Sequence, residues 1–275
     1  TGATVAVHFI NHTIATAAQL KQMLHISNDN YFEWRFGNIY YTKKGTGSPI
    51  LLIHDTLPGA SGYEWSKIED ELAIDHTVYT VDLLGCGRSD KSSITYTNFV
   101  YVQMISDFIK KIIGQKTDVI ASGFSGSFVT MACHNEKELF NKIMLVNPPS
   151  LTQLKQMPNN INNLFIEKMY YNPFHVDNQM ADAYYEAAHK GGYYTRFLYS
   201  SLAAKYININ ICHALKALDN SIYIVEGETE PNGKAVTDDY CASNPAIEVS
   251  VLKETKHLPH VEAPEAFLEQ VKIFF

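Results

Sequence analysis

The sequence predicts an α/β fold: a mostly parallel sheet with helices on both faces and a helical insertion before its last strands. Three observations carry that prediction. Short apolar runs such as "PILLIHD" and "TDVIAS" suit strands buried on both faces, and they alternate with longer segments of helical periodicity. The alternation stops after Pro148 and resumes at "SIYIVEG". Repeated strand–helix units imply parallel pairing, because each crossover returns the chain to the end of the sheet at which the previous strand began.

Taken in order, "YFEWRF" and "NIYYTKKG" flank Gly37-Asn38 and read as a hairpin, since aromatic and β-branched residues surround turn formers. "PILLIHD" is the next strand, and "YEWSKIEDELA" reads as a helix with Trp65, Ile68 and Leu72 on one face. Strand "HTVYTVDL", helix "NFVYVQMISDFIKKII", strand "TDVIAS", a helix from Gly126 to Glu138 and strand "KIMLVNP" repeat the pattern. The segment that follows is rich in Tyr, Asn and Met and helical in pieces such as "NQMADAYYEAAHK". "SIYIVEG", "IEVSVLKE" and the helix "PEAFLEQVKIFF", opened by Pro264, complete the sheet domain. The expected division is an apolar N-terminal arm (1–30), the first part of the core (31–148), the insertion (149–216) and the second part of the core (217–275).

Composition narrows the function. The chain has 275 residues, 46% of them hydrophobic, enough for a large core. Its net charge of −7, from 22 basic and 29 acidic residues, is spread without a basic block, which argues against a nucleic-acid partner and for a small molecule. Cys86, Cys133, Cys212 and Cys241 are far apart and form no C-x-x-C pair, so neither a disulfide framework nor a zinc site is indicated. His8 with His12, and His257 with His260, lack the Glu or Cys company of a zinc motif. No metal or organic cofactor is called for. The chain opens at Thr1 with the apolar "TGATVAVHFI", too short to span a bilayer. It reads as an arm lying on the fold or as the tail of a longer signal or anchor. Localisation is thereby open between the cytoplasm and an exported or membrane-anchored form, and any membrane association would run through such a segment. The Asn11-His12-Thr13 triplet fits a glycosylation acceptor and is common by chance.

The stretch "ASGFSGS" (121–127) lies where a buried strand gives way to a helix, the setting of a nucleophile elbow. In such a tight turn the residues two before and two after the nucleophile must be small. Ser122 has Ile120 and Phe124 there and Ser127 has Val129 after it, so among the three serines Ser125, between Gly123 and Ser127, alone fits. A serine hydroxyl needs a base and an orienting acid, in chain order Ser, acid, His. Glu230 follows the strand "SIYIVEG" and His257 follows "IEVSVLKE", both at carboxyl ends of parallel strands.

From about Tyr31 to Phe275 the chain resembles the α/β-hydrolase superfamily. The likeness rests on "LLIHD" for strand plus His-Gly, "VDLLGCGRSD" for an Asp-x-x-Gly-x-Gly-x-Ser loop, "GFSGS", "VEGETE" and "HLPHVEAPEAF". The resemblance implies an eight-stranded mostly parallel sheet and a cap formed by the insertion. It also implies Ser125 as nucleophile, His257 as general base and Glu230 as acid, with Glu228, Asp238 and Asp239 as rivals for the acid and His260 as a remote rival for the base. The oxyanion donors would be the N–H groups of Gly126 and Thr56, with Leu57 as a neighbour able to replace the latter. His54 and Phe124 beside the nucleophile, and Tyr170 and Tyr171 in the cap, are candidate substrate-binding residues; Phe165 and other cap aromatics would add an apolar lining. In the "GCGRSD" loop Arg88 is expected to pair with Asp82 or Asp90, and Cys86 to pack.

Four positions depart from the family pattern. Asp55 replaces the Gly of His-Gly, Phe124 stands where His is common, Ser127 replaces the last Gly of the elbow, and the acid is Glu. Asp55 is the most troubling, because a carboxylate beside the oxyanion hole opposes the charge that develops there. The expected function is a serine hydrolase of small to medium carboxylic esters or thioesters whose substrate has an apolar part. The alternatives are an aminopeptidase, a carbon–carbon hydrolase or a lyase on the same triad, or a non-catalytic binding member of the fold. A serine disfavours epoxide hydrolases and haloalkane dehalogenases, which need Asp at its place. Substrate identity and oligomeric state are not legible.

Overall fold

The computed structural model describes residues 2–25, 30–152 and 169–275. Strands β1 (Tyr31–Trp34) and β2 (Gly37–Lys44) pair antiparallel, and β2 pairs antiparallel with β4 (His76–Val81). Strands β3 (Ser48–Ile53), β5 (Thr117–Ser122), β6 (Phe140–Val146), β7 (Ile222–Gly227) and β8 (Glu248–Leu252) extend the sheet in parallel. The eight strands run in the order β1-β2-β4-β3-β5-β6-β7-β8, so β3 and β5, distant in sequence, are neighbours at the centre. The α/β-hydrolase fold expected from the sequence is the fold observed.

Burial explains the strand composition. Every residue of β5 is buried, and β3 is buried from Pro49 onward, so both read as continuous apolar runs. Alternate residues of β3 serve opposite faces. Leu51 and Ile53 join a core with Tyr101, Met104 and Phe128 from helices α3 (Asn98–Phe108) and α4 (Ser125–Asn135). Ile50 and Leu52 face Trp65, Ile68, Phe267 and Val271, the last two on the C-terminal helix α10 (Pro264–Phe274).

Three local expectations shift. The hairpin register pairs Trp34 with Gly37, so Arg35-Phe36 makes the turn and Gly37 opens β2 with a φ of +143°. The helix expected over "YEWSKIEDELA" breaks into a 3₁₀ turn, Gly62–Trp65, and a single α-turn, α2 (Glu69–Leu72), because the amide of Gly62 goes to Asp82 Oδ1 and that of Tyr63 to Ser61 Oγ. Helix α4 begins at Ser125 and ends at Asn135, short of Glu138.

The N-terminal residues form helix α1 (Gly2–Gln19), which packs on α5 (Asn178–His189); Glu186 of α5 accepts the amides of Met23 and Leu24. No helix among the described residues is long and apolar enough to cross a membrane. Beyond α5 the insertion supplies α6 (Thr195–Ala203) and α7 (Cys212–Ala217). Tyr170 and Met180 of the insertion pack on Leu258 and Val261, which sets it over the strand ends. Phe165 lies outside the described residues. Helix α8 (Gly233–Ser243) and the one-turn α9 (Pro259–Glu262) complete the chain.

Candidate active site at the carboxyl ends of the central strands

Between the end of β5 at Ser122 and the start of α4 at Ser125, one residue carries the left-handed backbone of the turn: Gly123, with φ +54°. Phe124 is already right-handed helical and Ser125 is the first residue of the helix. The sharp strand-to-helix turn that displays a nucleophile is therefore centred on Gly123, two residues before Ser125.

The space above Gly123 is filled from the neighbouring strand. Register Ile53↔Ala121 between β3 and β5 places the residues two beyond each, Asp55 and Gly123, side by side. A Cβ on Gly123 would stand 2.1 Å from Asp55 Cγ, so the Asp55 carboxylate occupies the volume of the missing side chain. Its Oδ1 accepts the amides of Thr56 and Phe124, each at 2.7 Å. These two donors, one from the loop after β3 and one from the residue after the turn centre, are the arrangement of an oxyanion hole. Its Oδ2 lies 3.1 Å from His257 Nε2. His54 steadies the loop: Nδ1 donates to the Asp55 carbonyl and Nε2 accepts the Leu83 amide.

His257 is held from both sides, with Nδ1 3.1 Å from Glu230 Oε1. A carboxyl group thus faces each ring nitrogen of His257. Its backbone amide goes to the Met169 carbonyl. Asn147, in left-handed conformation at the end of β6, clamps the loops that carry Glu230 and His257: Nδ2 donates to the carbonyls of Lys256 and His257, and Oδ1 accepts the Gly227 amide. Of the rival acids Glu228, Asp238 and Asp239, Glu228 accepts the Glu254 amide and Asp238 pairs with Lys234, whereas His257 meets Glu230. His260 is buried, stacked on Trp65 at 4.2 Å and 3.6 Å from Glu64.

The Ser125–His257 pair that the sequence suggests is not formed. Ser125 Oγ is fully buried, donates to the His54 carbonyl at 2.6 Å and lies 3.0 Å from Thr56 Oγ1. The expected donor Gly126 spends its amide on the Gly123 carbonyl, because that bond closes the first helical turn; Phe124 takes its place beside Thr56. His54 is a buried loop anchor. Phe124 borders the site, Tyr170 packs in the insertion, and Tyr171 is 47% exposed, its amide held by Glu262. The sequence does hold a clue to the centre of the turn: Gly123 itself has small neighbours at the required spacing, Ala121 and Ser125.

A cavity of about 160 Å³ opens beside these groups, bordered by Gly123, Phe124, Pro149, Glu230, Val236 and His257. Glu226 at its floor is 5% exposed and bonded to Thr237; burial pushes its carboxyl above the usual range. The Cys86 thiol, also buried, is pushed up to about 12, which leaves it a packing group. No cluster able to hold a metal ion exists among the described residues.

Known proteins agree with this architecture. The profile of the alpha/beta hydrolase family matches residues 50–270. A 2-hydroxy-6-oxo-6-(2'-aminophenyl)hexa-2,4-dienoic acid hydrolase of Metapseudomonas resinovorans is 29% identical over 113 residues, 40% of this chain and 39% of that protein. The chain thus aligns with well under half of that relative's length. Among solved structures, a meta-cleavage product hydrolase of Pseudomonas fluorescens IP01 superposes with a TM-score of 0.77 at 19% identity, over 87% of this chain and 94% of its own. A carboxylesterase of Bacillus subtilis gives 0.73 at 14% identity, over 96% and 97%.

Proposed function

This chain belongs to the alpha/beta hydrolase family, and we propose that within it the chain is a hydrolase whose reacting groups are Asp55, His257 and Glu230 rather than a serine triad. One observation carries the reading: His257 bridges Glu230 and Asp55 at 3.1 Å each, and the Asp55 carboxylate stands over Gly123 where an elbow side chain would be. Glu230 orients the imidazole. His257 exchanges protons with whatever lies at Asp55 Oδ2.

The same geometry disfavours ester cleavage through an acyl-serine. An acyl oxygen would have to enter the Thr56–Phe124 donor pair, which a carboxylate oxygen already fills. Ser125 would have to give up its bond to the His54 carbonyl and reach past Asp55 to His257. The cavity beside these groups, about 160 Å³, is where a substrate would enter.

A panel of aryl esters, lactones, epoxides, alkyl halides and vinylogous diketones tests the proposal. His257→Ala should lower turnover of the active substrate by at least about a thousandfold, as loss of a central acid–base group does, while Ser125→Ala leaves it within about threefold. Stoichiometric fluorophosphonate labelling at Ser125, lost in Ser125→Ala together with turnover, would return the site to a serine mechanism. No turnover of any substrate by folded protein would place the chain among binding members of the fold.

A further inference from the structure

We propose that Glu262 is a positioning residue for His257: it straps the histidine loop to the insertion, so that the seat of the insertion sets the place of the imidazole. The inference rests on the function proposed above and deepens it. Lys256 and His257 lie between β8 and α9, outside any strand or helix, where no ladder holds their amides and carbonyls. All four groups nevertheless have fixed partners. From the end of β6, Asn147 Nδ2 donates to the two carbonyls, at 2.7 and 3.0 Å. The Lys256 amide goes to Glu262 Oε1 at 2.8 Å and the His257 amide to the Met169 carbonyl at 3.0 Å.

The carbonyls are thus tied to the sheet, and the amides to α9 and the insertion. Glu262 is the last residue of α9 and is half-buried. Its second oxygen, Oε2, accepts the amide of Tyr171, two residues beyond Met169 in the insertion, at 2.6 Å. One carboxylate therefore holds an amide from each side of the joint. The bonds also run in both directions: the insertion accepts at Met169 and donates at Tyr171. Sliding either segment along the other breaks them. Tyr170, between the two, adds an apolar contact with Leu258 and Val261.

The residue type follows from this geometry. Two amide donors require two acceptor oxygens, which a carboxylate has; a glutamine has one, and its NH2 group would face the other amide. Burial pushes the Glu262 carboxyl above the usual range, while the two amides, Lys256 and His257 favour its charged form. Glu262 therefore reaches His257 by its charge as well as through the backbone. The division of labour is clear: Glu230 and Asp55 meet the ring at its nitrogens, and Glu262 fixes the main chain from which the ring hangs. That second task matters for rate, since a misplacement of about 1 Å at a reacting group can cost about a hundredfold.

The experiment compares the full chain with Glu262→Ala and Glu262→Gln, each checked for folding by urea unfolding. Hydrogen exchange resolved to single amides comes first, because it needs no substrate. In Glu262→Ala the amides of Lys256 and Tyr171 should exchange at least about tenfold faster, and so should that of His257, whose own acceptor at Met169 is untouched. Kinetics follow on the substrate that the panel above identifies. Glu262→Ala should lower kcat by roughly ten- to a hundredfold with a smaller change in KM, and Glu262→Gln, which keeps one acceptor, should recover part of that loss. Should Glu262→Ala not fold, Glu262→Gln carries both measurements, with smaller shifts in the same direction. A lowered urea midpoint with kcat unchanged would make Glu262 merely structural and overturn the proposal. A His257 amide that keeps its full protection would do the same. If no substrate is turned over, the proposed function falls, and exchange at His257 still decides whether Glu262 holds that residue in place.

Discussion

Two aspartates, Asp55 and Asp82, follow the adjacent strands β3 and β4, and both are fully buried. Their surroundings differ in one respect. Both oxygens of Asp82 are saturated by fixed donors: Oδ1 takes the Gly62 amide and Arg88 Nη2, and Oδ2 takes the Arg88 amide and Nε. Burial pushes the Asp82 carboxyl up, but the charge and hydrogen bonds of Arg88 outweigh it and hold the group well below the usual carboxylate range. Asp55 has fixed donors on Oδ1 and the titratable ring of His257 at Oδ2. Burial alone does not distinguish the two carboxylates. The neighbour of the second oxygen does.

The sharpest way to break this comparison is to move the glycine of position 123 to position 55. Asp55→Gly with Gly123→Ser should open the two-amide hole and place a hydroxyl beside His257, taking fluorophosphonate labelling from none to stoichiometric at residue 123. Labelling that stays absent in a folded double variant would mean that the turn cannot display a nucleophile.

A smaller effect, on stability, separates the two carboxylates directly. Asp82→Asn breaks a buried, hydrogen-bonded ion pair and should cost about 3–5 kcal/mol in urea unfolding, whereas Asp55→Asn should cost much less and act mainly on turnover. The sign with pH follows from the lowered Asp82 value. Its stabilisation is complete above the unfolded carboxyl pKa of about 3.9 and is lost as pH falls toward the folded value. The wild type should therefore lose more stability than Asp82→Asn on acidification below about pH 4. Parallel acid-unfolding curves for the two would remove Asp82 from its structural role.

The smallest change should come from Ser125→Ala, which removes one buried hydroxyl donor to the His54 carbonyl. The loss should be about 1 kcal/mol, read as a shift in urea midpoint at unchanged slope, with the site's chemistry intact.

Much of this architecture was legible in the residues. Chain order placed Glu230 and His257 on loops after β7 and β8, and the structure brings them together at 3.1 Å. The "GCGRSD" loop announced the Arg88 anchor but left its partner open; burial of Asp82 and the pairing of Asp90 with the Asn38 amide decide it. Ser125 satisfies the elbow spacing in the sequence, and so does Gly123, whose missing side chain hides the turn centre. The helix start matters as well: Ser125 lies two residues past the turn centre at Gly123, already in the helix, and its hydroxyl turns into the His54 carbonyl.

By itself the sequence determined the fold, since strands buried on both faces must be continuous apolar runs and parallel pairing requires a crossover between them. It also determined that Asp55 was anomalous. Only the tertiary structure decided what the anomaly means. Asp55 and Phe124 are 69 residues apart in the chain, and their hydrogen bond exists because β3 and β5 are sheet neighbours in a register that sets Asp55 over Gly123. Strand adjacency is a long-range property of packing, and no local pattern around either residue encodes it.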